Sequence, residues 1–260
     1  MSAQTLEIAI PLVALLVLII MAVMIVAFTL IGRRNSARPR TLRRIDAFQS
    51  LPTTVGQAVE TGQRLHISLG TGQVGLADTA VTVAGLTVLD QISAAAAVSD
   101  RPPVVPTSDG AAMLLAQDTL NSVYARQNAL ARYDPESAQV VGLTPASFGA
   151  AQTTLPGDEA VAGAVLIGAI GSEAVLLAEG GQRAGVTTLA GAESVATQAM
   201  LYTTADHPLM GEEVFAGGAY IGGQPRFIAS LTAQDLARVF IAGLVIIGVI
   251  VATVRTLGRF

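Results

Sequence analysis

The chain opens on an unbroken apolar run and nearly closes on another, with short punctuated bursts of apolar residues between them. Residues 8–31, IAIPLVALLVLIIMAVMIVAFTLI, carry no charge, and about 20 apolar residues suffice to cross a bilayer. Pro11 falls in the first turn, where a missing backbone N–H costs least. A cleaved leader needs a basic start, a shorter apolar core and a small-residue cleavage site. Here Glu7 precedes the run, and Arg33 and Arg34 follow it at once, so the pattern predicts an anchor. Residues 239–254, VFIAGLVIIGVIVATV, form the second run. Counted from Leu236 it is long enough to span, with Arg238, Arg255 and Arg259 placed to snorkel at its ends. A helix lying in the membrane interface, or packed on other subunits, is the alternative reading of this run.

Between the runs the period alternates. Short apolar stretches predict strands over 65–69, 103–107, 139–142, 164–170 and 186–190. Longer helical patterns cover 77–97, 109–127, 145–153, 172–183, 192–202 and 212–221. Gly70, Gly72 and Gly75, Pro102-Pro103, Asp134-Pro135, Pro156-Gly157 and Gly180-Gly181 punctuate the boundaries. Strand–helix alternation with near-continuous apolar strands predicts a parallel sheet covered by helices on both faces. The expected fold class is therefore α/β: a Rossmann-like, doubly wound three-layer domain flanked by an N-terminal and a C-terminal transmembrane helix. The expected divisions are an anchor over 1–32, an arginine collar over 33–45, the α/β domain over 46–230 and the second membrane helix over 231–260. Thr232 and Asp235 have capping-box spacing at the start of that last helix. Residues 160–178, with only Glu173 charged, could instead be read as a third span. Three glycines, Glu173 and the adjoining Asp158 and Glu159 weigh against it, and a strand running into a helix through Gly168 and Gly171 explains the same residues.

Charge sharpens this picture. Charged residues make up only 13% of the 260 residues and mean hydropathy is +0.58, against about 25% charged in an ordinary soluble domain. Arg33, Arg34, Arg38, Arg40, Arg43 and Arg44 crowd the twelve residues behind the first span. Such a cluster places its flank on the cytoplasmic side, with both termini outside, and suits anionic headgroups. From Asp46 to Asp235 the balance reverses: eighteen acidic residues face six arginines, a net charge of −12. A nucleic-acid partner is thereby disfavoured, and the expected partners are the bilayer, further copies of this chain and other membrane proteins. All fifteen basic residues are arginine and there is no cysteine. Disulfides, cysteine-ligated metals, Schiff-base lysines and a phosphate-loop lysine are thus excluded.

The sharpest local motif is RLHISLGTGQVGLADTAVTVAGL. An alternating strand pattern meets Gly70-Thr71-Gly72-Gln73-Val74-Gly75 and continues into a helix. In a dinucleotide fingerprint the first glycine permits the turn, the second a close backbone approach and the third helix packing, with an anion at the helix N-terminus. Gly70, Thr71, Gly72 and Gly75 are thus candidate ligand-binding residues. The acidic residue expected about 20 positions on is poorly met. Asp90 lies inside the helix pattern, Asp109 comes too late, and Pro102, Pro103 and Pro106 crowd the second strand. A dinucleotide, another small anionic ligand and a purely structural turn all remain readings of this motif.

Other chemistry is sparse. Gly168-Ala169-Ile170-Gly171-Ser172-Glu173 echoes the glycine turn. His66 is expected to be exposed on its strand, and His207, near Asp206, Glu212 and Glu213, to sit in a polar loop. No catalytic or metal-binding signature presents itself, and no cofactor is indicated. The helix beginning ADTAVTVAGLTVL is apolar nearly all round, which predicts burial inside the domain or against another subunit.

A span near each end, an arginine collar and LGTG leading into TAVTVAGL together resemble a family of prokaryotic membrane proteins catalogued only as a domain of unknown function. The resemblance covers nearly the whole chain and implies membrane location without assigning an activity. The expected function is that of a membrane-anchored homo-oligomeric scaffold or interaction protein with a cytoplasmic α/β domain. A nucleotide or small-anion sensor using Gly70–Gly75 is the alternative.

Overall fold

The computed structural model describes residues 15, 17–30, 42–158 and 160–257. Residues 42–222 form one unit, and the described residues before and after it form another.

Within the first of these units the strands form where the apolar runs lack helical period. They are β1 (Arg64–Gly70), β2 (Val105–Thr107), β3 (Ala138–Val140), β4 (Val161–Ala169), β5 (Thr187–Ala192) and β6 (His207–Leu209). All pair in parallel, in the order β3-β2-β1-β4-β5-β6. The chain thus builds outward from β1 to one edge, returns to β1's other side as β4, and builds outward again. The intervening helices are α2 (Asp46–Thr61), α3 (Thr79–Ala96), α4 (Gly110–Arg126), α5 (Pro145–Asp158), α6 (Ala174–Arg183), α7 (Val195–Thr204) and α8 (Gly217–Tyr220). Successive strand side chains point to opposite faces. Leu166 packs with Phe148 of α5 and Leu177 of α6, while Ile167 and Leu69 lie against Gly85 of α3. Helices therefore cover both faces of the sheet, and the α/β expectation holds.

Two elements escaped the sequence reading. In α2 the buried residues Ala47, Phe48, Leu51, Thr54, Val55 and Ala58 keep helical spacing, but Pro52 and Gly56 mask it. Gly62, at φ +66, ends the helix in the left-handed cap that glycine favours. In β6, Pro208 occupies an edge strand, where its missing N–H is tolerated. The expected helix over 212–221 is a 3-10 turn, Gly211–Ala216, followed by the single turn of α8.

The stretch 160–178 resolves into β4 and the start of α6 rather than a membrane span. α3 is long and apolar enough to cross a membrane, yet 44% of it is buried within the chain. Val81, Val88, Leu89 and Ile92 fill the core beneath it. Its all-round apolarity is therefore mostly that of a core helix.

Where the chain enters and leaves this unit, it is tied to itself. The Tyr220 hydroxyl donates to the Arg43 carbonyl at 2.6 Å, Phe48 stacks on Tyr220 at 5.3 Å between centroids, and Arg43 pairs with Glu213. Both connections to the apolar helices thus depart from one place. Tyr220→Phe keeps the stack and removes the hydrogen bond. Its expected cost is about 1 kcal/mol, read as a lower thermal midpoint by circular dichroism.

The other unit contains α1 (Val17–Leu30) and α9 (Pro225–Leu257). The stretch Pro225–Ile250 of α9 is long and apolar enough to cross a membrane, and only 6% of its most apolar window is buried. Val239, Phe240 and Ile247 of α9, like Leu18 and Val23 of α1, stand exposed. The hydroxyls of Thr29 and Thr253 donate back to the carbonyls of Ile25 and Val249, at 2.7 and 2.8 Å. Polar groups in lipid are satisfied in this way. The proposed capping pair is overturned: α9 begins at Pro225, so Thr232 lies inside the helix and donates to Ile228 at 2.8 Å. Asp235 pairs instead with Arg238 at 3.4 Å.

Candidate functional site

Strand order singles out one location. β1 and β4 are adjacent, and their crossovers run in opposite directions along the sheet. In open parallel sheets ligands bind outside the carboxyl ends of the strands at such a reversal. The turn after β1 carries Gly70, Thr71, Gly72 and Gly75, and the turn after β4 carries Gly171 and Glu173. The two glycine motifs therefore meet at one edge.

Their contacts are mainly with each other. The Thr71 amide donates to the Ala169 carbonyl at 2.8 Å, and the Thr71 hydroxyl donates to the same oxygen at 3.0 Å. Glu173, buried, accepts from the Gly171 amide at 2.8 Å and from the Thr71 hydroxyl at 3.4 Å. β4 carries one extra residue opposite β1 here, since Ser68 pairs with Leu166 but Gly70 with Ala169. That bulge brings the two backbones together. A Cβ on Gly70, which sits at φ +78, would lie 2.5 Å from the Ala169 carbonyl oxygen, and one on Gly72 would lie 2.6 Å from the Thr82 hydroxyl. The protein's own packing thus requires both glycines. Gly75, at φ +95, has open space around it and needs glycine only for its backbone angle. Its amide donates to the Thr79 hydroxyl at 2.8 Å. Two N–H groups that a phosphate would use, those of Thr71 and Gly75, are therefore already bonded.

The electrostatics of this edge are acidic. Asp78 directly precedes α3, and Glu193 follows β5 by one residue. The Glu193 carboxyl is held above its ordinary pKa by partial burial, then by the Asp78 carboxylate with which it shares a hydrogen bond. With Glu173, these groups oppose a phosphate at the N-terminus of α3. Neither sequence candidate for a ribose-binding acid is free. Asp90 pairs with Arg126 and accepts from Gln91 at 2.9 Å, while Asp109 caps α4 by accepting from Ala112 at 2.9 Å. NAD, NADP, ATP and GTP at millimolar concentration are therefore expected to leave the thermal midpoint unchanged. A site with a dissociation constant tenfold below that level would add about 1.4 kcal/mol. A clear upward shift would restore the nucleotide reading.

The remaining candidates fall elsewhere. Arg33, Arg34, Arg38 and Arg40 lie outside the described residues. The Arg43 side chain is 72% exposed despite its pairing with Glu213, and Arg44 donates to Gln49 at 2.6 Å. His207 is half-buried in β6, and among the described residues no three His, Cys, Asp or Glu side chains cluster as a metal site would require.

His66 overturns its expectation. It is 2% exposed, because both faces of β1 are covered by helices and alternation along it does not lead to water. Its Nε2 meets the Gln152 side-chain oxygen at 2.9 Å. Burial lowers its pKa from 6.5 to about 4, against the opposing effect of that hydrogen bond. Gln152 lies on α5, 86 residues away, a pairing that nothing in local sequence signals. Glu193 had a signal, its place just past the end of an expected strand.

A six-stranded parallel α/β domain with an acidic, glycine-lined switch point, in a chain that also carries a long exposed apolar helix, defines the class of protein. Within that class, the chain belongs to the family described as Domain of unknown function (DUF6754), whose model matches residues 4–259. No curated protein and no solved structure matches the chain.

Proposed function

We propose that this protein is a membrane-anchored, homo-oligomeric scaffold whose acidic domain is Rossmann-like and cytoplasmic, held by α1 and α9 as transmembrane helices. The observation that carries the reading is the exposure of α9, where Val239, Phe240, Ile241, Ile246, Val249 and Val254 all stand open. Leaving such a surface in water is costly at roughly 25 cal/mol per Å², and lipid removes that cost. The joined departure points at Arg43 and Tyr220 fit a domain suspended by both ends. The strand order β3-β2-β1-β4-β5-β6 is that of the doubly wound dinucleotide-binding fold, which supports the Rossmann-like description. Packing accounts for the glycine turn, and the nearby carboxylates argue against an anionic ligand. Binding to other proteins is therefore favoured over nucleotide sensing.

Self-association draws support from apolar side chains exposed on the domain. Leu143, and Val195 and Tyr202 on one side of α7, are the most exposed of them. Light scattering on the detergent-solubilised protein tests it, once bound detergent is subtracted. The expected protein mass is a multiple of the 26.6 kDa chain, and a single-chain particle removes the oligomer from the account.

A further inference from the structure

A groove of about 470 Å³ runs along the domain between α2 and the second half of α3. Its walls are Phe48, Leu51 and Val55 of α2 and Ile92 of α3. Tyr220, stacked on Phe48, lines the end where α2 begins, and Glu60 belongs to the end where α2 finishes. The volume is that of a small-molecule site, and the lining is predominantly apolar. Pro52 and Gly56 contribute to it: neither carries a side chain long enough to bridge α2 to α3. No sequence motif marked this place, because α2 itself was hidden by those two residues.

We propose that the groove takes an acyl chain of an anionic phospholipid, with the headgroup at the Tyr220 end. The proposal rests on the membrane-anchored reading above. Charge gives the orientation. At the Tyr220 end the Arg43 carbonyl is bonded to the tyrosine hydroxyl, and the guanidinium groups of Arg43 and Arg44 are more than two-thirds exposed. Both are partly engaged, Arg43 with Glu213 and Arg44 with Asp46 and Gln49. Each still has donors left among the five of a guanidinium. At the far end the charged wall residue is Glu60, an acid. A linear apolar molecule with one anionic end matches that asymmetry. The apolar runs of a second copy match it less well, being flanked more by arginine (Arg33, Arg34, Arg238 and Arg255) than by acid (Glu7 and Asp235). Supply also favours lipid, for the chain passes from this end of the groove to α9 in five residues, Tyr220 to Pro225. A polar-tipped apolar groove tethered to a bilayer meets phospholipid at high effective concentration.

The test uses the full chain in vesicles of phosphatidylcholine and phosphatidylglycerol, with a diazirine on the acyl chain of one lipid at a time. Crosslinked peptides are mapped by mass spectrometry. The expected adducts fall within 48–60 and 91–98, and phosphatidylglycerol labels these more strongly than phosphatidylcholine. Gly56→Leu is the decisive variant. A Cβ at Gly56 meets nothing within 4 Å and glycine is a poor helix former, so the variant keeps the fold and fills the groove. Labelling of these peptides should fall at least tenfold while labelling of α9 persists. Arg43→Gln with Arg44→Gln should reduce the phosphatidylglycerol signal by roughly fivefold per arginine and leave phosphatidylcholine unaffected. Adducts confined to α1 and α9, or groove labelling indifferent to Gly56→Leu, overturn the proposal while leaving the membrane anchor intact. A chain that stays out of the vesicles altogether overturns the anchor itself.

Discussion

Gly168→Ala is expected to unfold the α/β domain or bring it close to unfolding, although it adds a single methyl group. Gly168 sits in β4 at the bulge opposite β1, and a Cβ there would lie 1.9 Å from the Leu69 carbonyl oxygen and 2.5 Å from its carbon. The obstacle is backbone of the central strand, which cannot rotate away as a flexible side chain can. Relief requires β1 and β4 to separate, and with them the Thr71–Ala169 and Thr71–Glu173 bonds that join the two turns. Overpacking within a core costs roughly 1–3 kcal/mol, and a clash between paired strands belongs at or above the top of that range. A domain of this size has only about 5–15 kcal/mol in hand. Gly75→Ala is the matched control. That glycine has a positive φ but open space, so the cost is backbone strain alone, of order 1–3 kcal/mol. Circular dichroism melts of the two full-length variants should show Gly168→Ala as much the worse. Equal midpoints would mean that the strands are not held as closely as described.

Acid is expected to destabilise the domain through His66. The folded imidazole binds its proton with a pKa of about 4, against 6.5 when unfolded. Between those values the unfolded state holds more protons, so stability rises with pH. The stability at stake is whole above pH 6.5 and is lost progressively as pH falls toward 4. It amounts to about 3 kcal/mol, at 1.36 kcal/mol per pKa unit. His66→Gln offers an amide N–H in place of Nε2–H toward Gln152 and has no proton to gain in this range. The variant should therefore lose less stability than the natural chain between pH 7 and 4, when both are followed by urea unfolding in the same detergent. Parallel pH curves for the two proteins would show that the burial of His66 does not govern this limb.

Much of the architecture was legible because it rests on period and punctuation. The strands at 65–69 and 164–170 announce themselves by apolar runs ending in glycine, and the structure places them side by side at the centre of the sheet. What escaped reading has physical causes. Pro52 and Gly56 are poor helix formers, and the core contacts of Phe48, Leu51 and Val55 override that local preference. His66 alternates in sequence as an outward residue would, but a parallel sheet covered on both faces has no outward side. The glycine turn was readable as a turn and ambiguous as a site. Its ambiguity narrowed only when the β4 bulge accounted for Gly70 and the Asp78–Glu193 pair supplied negative charge beside it. Long-range pairings such as His66 with Gln152, or Arg43 with Glu213, have no local signature at all.

The natural chain contains no cysteine, so single cysteines report position without background. Labelling of intact cells with a membrane-impermeant maleimide tests most directly whether two spans hold this domain inside the cell. One variant carries Ser2→Cys, ahead of the first span. The other carries Val195→Cys, on the domain, where the native side chain is 80% exposed. Modification of the Ser2→Cys chain is expected in intact cells, and of the Val195→Cys chain only after the membrane is opened. Modification of Val195→Cys in intact cells, with Ser2→Cys protected, would contradict the topology read from the arginine collar.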